Sequence, residues 1–402
     1  GFAEPVVTDT AKSLSKIGHR VILLAWDRTA KGEETVTTDW GTIWKYQEEC
    51  PLNNPLTFAS KLPGFLRWST WQILAFQNIE KDIILHYHDL DTLIGGVFTS
   101  KLGKLPLVYD CHENYPGLVK GAISSRGANI LHKIEAYLLN YCDGIMAAGP
   151  AGYIRLNDML NIGPSAPFNA NDDDAFKVLS KPQSEFLNSR VTRVGNAKRL
   201  DAYPLSRIEK RNQNKKFRIL YIGVLEKHPS RGILETAITV NKMKDVQFDI
   251  GGVGTLVPTI KKVCGKMENV NYIGSIHPDN VPLQTIESDA VLMALDPKND
   301  NNRMSAPNKL FEAMSAGVPI ITCKELLMGQ FVENEEIGLT FEWGKWDRLK
   351  AAIMKLVYDK ELQAKMGKRG RKLAEKTHNW EKCEERIESL YRYVKLNSIS
   401  HS

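Results

Sequence analysis

SAPNKLFEAMSAGVPIITCKE, residues 305–325, reads as helix, tight turn and strand. Leu310, Phe311, Ala313, Met314 and Ala316 supply an apolar helical side, Gly317 is a helix stop, and VPIIT follows as a short buried strand. Pro307 fits the first helical position, where its missing N–H costs nothing. That leaves the amides of Asn308, Lys309 and Leu310 without intrahelical partners. Such an end attracts anions. Within this apolar pattern stands one carboxylate, Glu312. In a doubly wound α/β sheet, helix amino ends open onto the crevice at the carboxyl ends of the strands, and Glu312, about one and a half turns in, is either within reach of a ligand there or an ordinary surface glutamate of an amphipathic helix.

The same alternation extends in both directions. Upstream, FRILYIG, VQFDIGGVG, VNYIG and DAVLMALD read as strands separated by helical stretches near 231–243, 255–266 and 280–287. The first half repeats it with RVILLAW, DIILHYH (82–88), LPLVYDCHE (105–113) and DGIMAAG as strands. Alternation of this kind means parallel sheets, so the expected fold is α/β with two Rossmann-like halves. The polar, strand-poor stretch 176–216 is read as the linker, with the hinge near 205–216. This gives an N-terminal domain over 1–205, a C-terminal domain over 206–380, and a closing helix and tail over 381–402. The chain opens on a helical pattern with no strand ahead of it, so the first strand of the N-terminal domain is expected to be missing.

At 402 residues, 43% hydrophobic and 25% charged, the chain has the composition of a globular two-domain protein. No window approaches the length of a membrane span, and the opening GFAEPVV has no leader pattern, which points to the cytoplasm. Six scattered cysteines without a CxxC pair argue against a zinc knuckle and against a disulfide scaffold. Residues 1–205 hold 21 Lys and Arg against 22 Asp and Glu, the remainder 32 against 25, so the +6 net charge comes from the second half. Much of that excess lies in KMGKRGRKLAEK on a solvated helix, and the charge alone selects no partner. The stretch KLPGFLRWSTWQILAFQN, residues 61–78, carries Phe65, Trp68, Trp71, Leu74 and Phe76. It is read either as core or as a segment resting on a membrane surface.

Several clusters carry chemistry. In YIGVLEKHPSRGILETA, Arg231 precedes Gly232 at a helix start, where a guanidinium fork can pair a diphosphate while backbone amides take the remaining oxygens; the other reading is a solvated loop arginine. IGGVGTL supplies Gly252 and Gly254 after a strand, which permits close approach of a ligand. HYHDLD (86–91) and YDCHENYP (109–116) both end strands at one sheet's carboxyl edge. The first of these also resembles a metal cluster, so a metallohydrolase stays among the readings, although no third ligand stands at the usual spacing.

Taken in order, YDCHENYP, YIGVLEKHPSRGI, IGGVGTL, VNYIGSI and SAPNKLFEAMSAGVPIIT resemble the retaining GT-B-fold glycosyltransferases of the family 4 type. PFNAN (167–171) and HNWEKCEERIESLYRYV extend the likeness to nearly the whole chain. The resemblance implies two Rossmann-like domains with a cleft between them. Their substrates would be a nucleoside-diphosphate sugar and a glycan or lipid-linked acceptor. It implies that Glu312 accepts from the ribose hydroxyls, that Arg231 holds the diphosphate, and that Lys309 and Asn308 add their helix start to the donor site. His112 and Glu113 would be the catalytic residues, with His88 and Asp89 on the acceptor side. No cofactor, metal or nucleic acid is expected, and any membrane contact, at the inner face, would run through 61–78. Met304 and Val224 stand where many relatives carry a glutamate and an arginine. The alternatives are a nucleotide-sugar epimerase of the same fold and a non-catalytic GT-B-like binding subunit.

Overall fold

The computed structural model describes residues 5–51, 55–112, 114–119, 123–166, 178, 183–210, 216–227 and 230–398. The chain divides into two compact units. One comprises residues 1–170, 182–194 and 383–402, the other residues 171–181 and 195–382. Residues 195–205, expected in the first domain, thus group with the second. The physical reason is local: Asn196 Nδ2 donates to the Ala306 carbonyl (2.9 Å) and Lys198 Nζ to Asn308 Oδ1 (2.5 Å).

The first unit opens with helix α1 (Pro5–Lys16), which buries Ala11 and Leu14. Strands β1 (Val21–Asp27), β2 (Thr35–Thr37) and β3 (Gly41–Gln47) form a small sheet ordered β1-β3-β2, β1 and β3 parallel. Helix α2 (Pro55–Gln77) leads to a second, parallel sheet ordered β4-β5-β6-β7. Its strands are β4 (Leu85–His88), β5 (Leu107–Cys111), β6 (Gly144–Ala147) and β7 (Val191–Arg193). Helices α3 (Asp89–Gly103), α4 (Tyr115–Val119), α5 (Ser125–Leu138) and α6 (Pro150–Ile162) link them. The core gathers Leu93, Val97, Leu107, Tyr109, Leu139, Ile145 and Leu156.

The aromatic stretch 61–78 lies, up to Gln77, within α2 and is mainly core. Phe65 stacks on Trp26 (centroids 5.9 Å), Trp68 meets Tyr46 (5.6 Å) and Phe76 meets Trp44 (5.9 Å). Trp71 alone of these rings faces outward, 68% exposed. Between the two sheets runs a slot of about 520 Å³, lined by Val21–Leu24 of β1, by residues 83–88 and by Tyr391.

The second unit is a doubly wound, all-parallel sheet ordered β10-β9-β8-β11-β12-β13. The strands are β8 (Phe217–Ile222), β9 (Val246–Gly251), β10 (Val270–Gly274), β11 (Ala290–Met293), β12 (Ile320–Cys323) and β13 (Gly338–Phe341). Its helices are α7 (Leu205–Glu209), α8 (Ile233–Val240), α9 (Val257–Cys264), α10 (Val281–Ile286) and α11 (Asp300–Met304). They continue with α12 (Asn308–Ala316), α13 (Leu327–Asn334), α14 (Trp346–Tyr358) and α15 (Lys360–Lys376). Strand order reverses between β8 and β11, the position at which such sheets bind ligands outside their carboxyl ends. The last helix, α16 (Trp380–Ser398), crosses the division at 382/383. None of the six cysteines forms a disulfide. Among the described residues no helix is long and apolar enough to cross a membrane.

Candidate functional site

In the first unit, β4 and β5 pair with His88 opposite Asp110. Side chains two apart on a strand share a face, so His86 and His88 on β4 join Asp110 and His112 at the end of β5. Asp110 Oδ2 lies 3.4 Å from His86 Nε2, 3.3 Å from His88 Nδ1 and 3.1 Å from His112 Nε2. His88 Nδ1 and His112 Nε2 are 3.1 Å apart, and the Tyr391 hydroxyl stands 2.7 Å from His86 Nδ1. Burial alone would push the Asp110 carboxyl up. The His112 imidazole and the hydrogen bonds of all three histidines outweigh it and hold the group well below the usual range. Burial lowers His88 in turn, because the imidazolium loses its hydration.

Tyr109 and Cys111 point to the other face of β5, where the buried Arg155–Glu135 pair holds them. Arg155 Nη1 lies 2.5 Å from Glu135 Oε2, and the Tyr109 hydroxyl donates to Glu135 Oε1 at 3.0 Å. Asp89, the first residue of α3, has φ 60°, a left-handed conformation uncommon outside glycine. Its Oδ1 accepts from the His112 backbone N–H at 3.1 Å. Burial pushes its carboxyl up to about 6.

His88, Asp89 and His112 are therefore together, as expected. Glu113 and PFNAN (167–171) lie outside the described residues. His86 and Asp110 fall inside the two polar clusters but were given no role of their own, and Tyr391 was not expected at the site. The signal for Asp110 was its place two residues before His112 on a strand; Tyr391 left none. His86, His88 and Asp110 each offer a ligand atom within 4.8 Å of the others, a set of the kind that can hold a metal ion.

In the second unit, α12 begins at Asn308, one residue later than expected. Pro307 is the cap, with its backbone extended, and the Leu310 amide donates to the Pro307 carbonyl at 3.1 Å. The amide of Leu310 is thus not open to a ligand. Glu312 projects from α12 with its Oε1 3.7 Å from Lys198 Nζ, both side chains largely buried. Lys198 was not expected here; it arrives from the segment after β7. Lys309 Nζ lies 4.5 Å above the Tyr221 ring at the carboxyl end of β8, beside Gly223.

Arg231 sits in the loop between β8 and α8, just ahead of Gly232, which caps α8 with φ 61°. Its Nε is buried and has no hydrogen-bond partner among the described residues. A charged donor in that state is costly unless a ligand completes it. Gly252 and Gly254 have a packing role: a Cβ at either would collide with the carbonyl of Gly223 or of Leu225. They let the loop after β9 lie against the loop after β8, joined by Leu225 N to Val253 O at 2.8 Å. Val224 is half exposed and Met304 ends α11.

Two family models match the chain. One, described as glycosyl transferases group 1, covers residues 204–373, and one described as glycosyltransferase family 4 covers residues 3–165. The chain belongs to the GT-B glycosyltransferases of the family 4 type. This glycosyltransferase is 24% identical over 147 residues to the GDP-mannose-dependent alpha-(1-6)-phosphatidylinositol monomannoside mannosyltransferase of Mycobacterium tuberculosis. That match spans 36% of the chain and 38% of the relative. Among solved structures it is similar to sucrose-phosphate synthase from Thermosynechococcus elongatus, with TM-score 0.71 and 15% identity over 99% of this chain and 94% of that one. It is also similar to Anabaena HepE in complex with UDP and glucose, with TM-score 0.62 and 14% identity over 99% and 96% of the two chains. At these identities the structural likeness is one of fold.

Proposed function

We propose that this glycosyltransferase moves a hexose from a nucleoside-diphosphate sugar to a glycan or lipid-linked acceptor, with retention of anomeric configuration and without a metal ion. The observation that carries the donor assignment is the buried, unpartnered Nε of Arg231 at the switch point of the second sheet. Arg231 takes the diphosphate, and Lys309 with the amino end of α12 adds positive potential. Glu312 accepts from the two ribose hydroxyls through both carboxylate oxygens. Asn308 Oδ1 accepts from Lys198 Nζ, which also lies against the Glu312 carboxylate. With the leaving diphosphate neutralised by fixed cations and dipoles, no metal is required for departure.

His112 and Glu113 are assigned to catalysis and His88 and Asp89 to the acceptor side. The ionised Asp110 orients His112, as a carboxylate orients a catalytic imidazole elsewhere. The HepE complex with UDP and glucose supports a nucleotide-sugar donor. The mannosyltransferase relative, named for GDP-mannose, leaves the choice of base between uridine and guanosine.

A thermal-shift panel of UDP-, GDP- and ADP-sugars tests this reading. One donor is expected to raise the melting temperature, and product analysis by NMR with a glycan acceptor then shows transfer. No shift with any donor overturns the proposal, and an epimerised nucleotide sugar formed without acceptor would make the chain an epimerase.

A further inference from the structure

Arg193 closes β7, and its side chain follows that of Val191 onto the face of the sheet that α6 covers, where Val191 packs with Leu156 and Met159. It is 3% exposed, its Nε has no hydrogen-bond partner, and among the described residues no carboxylate pairs with it. Arg386 of α16 stands beside it, also buried, with Nη1 donating to the Arg193 carbonyl at 2.9 Å and Nε to Gln183 Oε1 at 2.7 Å. Both guanidiniums lie against the Phe186 ring, 5.3 and 4.6 Å from its centroid. Two buried cations thus share one small space.

This arrangement is costly for the chain by itself. A buried charge needs a partner of opposite sign, and a ring face supplies far less than the hydration given up. Burial first, and the charge of Arg386 second, hold the Arg193 guanidinium below the ordinary arginine range. Glu385, next to Arg386 in sequence, is exposed on α16 and reaches Gln183 Nε2 at 3.5 Å. The surroundings add positive potential. Register sets Arg193 opposite Ala147, after which the chain turns through Gly149 into α6. Gly149 gives that helix no side-chain cap, and the amides of Ala151 and Gly152 follow Pro150 at its start. Tyr153 of the same turn meets Phe186 at 5.3 Å, so the first turn of α6 and both guanidiniums border one ring.

We propose that Arg193 and Arg386 form an anion subsite of the first unit that takes a phosphoryl group. Charge and shape select the ligand. A carboxylate brings two oxygens and one charge, whereas a phosphoryl group brings three acceptor oxygens and nearly two charges, enough to bridge a pair of guanidinium forks. Arg193 offers its N–H groups and Arg386 its Nη2. The group is either carried by the acceptor or is free phosphate. The subsite rests on the first unit alone and not on the donor reading.

Thermal melting of the full chain carrying Arg231→Ala tests it, because that substitution removes the proposed diphosphate contact of the second unit. Inorganic phosphate is expected to raise the melting temperature above that in sodium chloride of the same ionic strength. Arg193→Met or Arg386→Met in this background should weaken phosphate binding about tenfold or more. In chloride, Arg193→Met should melt no lower than its parent, since it removes an uncompensated buried charge. Glycerol 3-phosphate separates the sources: binding tighter than that of inorganic phosphate marks an organic acceptor, equal binding marks the free ion, and both fill the subsite. Phosphate that stabilises no more than chloride overturns the proposal, as does phosphate binding indifferent to either substitution. A fall in the melting temperature of Arg193→Met in chloride would mark a structural cation and overturn it too.

Discussion

Lys198 Nζ lies 3.7 Å from Glu312 Oε1 and 2.5 Å from Asn308 Oδ1. One ammonium from the segment after β7 therefore fixes both the proposed ribose acceptor and the first residue of its helix. Lys198→Met should leave Glu312 a less oriented carboxylate and weaken nucleoside binding. A charge-assisted hydrogen-bond network is worth roughly 1.5–3 kcal/mol, so the loss should be about tenfold or more. Glu312→Gln should match it in calorimetric titration with uridine and guanosine. Unaltered affinity in both variants contradicts the ribose role.

Arg231→Ala distinguishes phosphate from nucleoside recognition. The substitution should weaken UDP or GDP by about tenfold or more while leaving the free nucleoside nearly unaffected. Equal losses for both ligands would remove Arg231 from the diphosphate site.

His112→Ala should lower turnover by about two to four orders of magnitude, the usual reach of a positioned acid or base. Nucleotide affinity should be unchanged, because the proposed nucleotide contacts lie in the second unit. A parallel fall in nucleotide affinity would argue for a structural role instead.

Extensive dialysis against EDTA should leave transfer activity intact if the histidines serve Asp110 and not a metal. Loss on dialysis with recovery on zinc or manganese would make His86, His88 and Asp110 a metal centre.

Asp89 and Asp110 predict opposite responses to pH. The Asp89 carboxyl titrates near 6 when folded, above its unfolded value of about 3.9, so stability falls as pH rises from about 4 to 6 and stays lower above. Asn tolerates the left-handed backbone at this position and keeps an acceptor for the His112 amide. Asp89→Asn should thus stabilise the protein by up to about 2–3 kcal/mol near pH 8 and much less near pH 4. Asp110 has its folded value depressed. Its contribution is present above about pH 4 and is lost as pH falls toward the folded value, so Asp110→Asn should destabilise at neutral pH and flatten the acid limb. Melting curves across pH decide both.

Sequence alone determined the parallel α/β alternation, because strands buried on both faces and helices with one apolar side carry their own periodicities. It also singled out Glu312 and Arg231 as candidates, since a charge inside an apolar helical pattern and an arginine before a helix-opening glycine are local departures. The division at 194/195, the Lys198–Glu312 contact and the gathering of three histidines on Asp110 came only with the tertiary structure. Each depends on chain segments distant in sequence. The pairing of His88 with Asp110 needs the register of β4 against β5, and register is set by what the whole sheet buries.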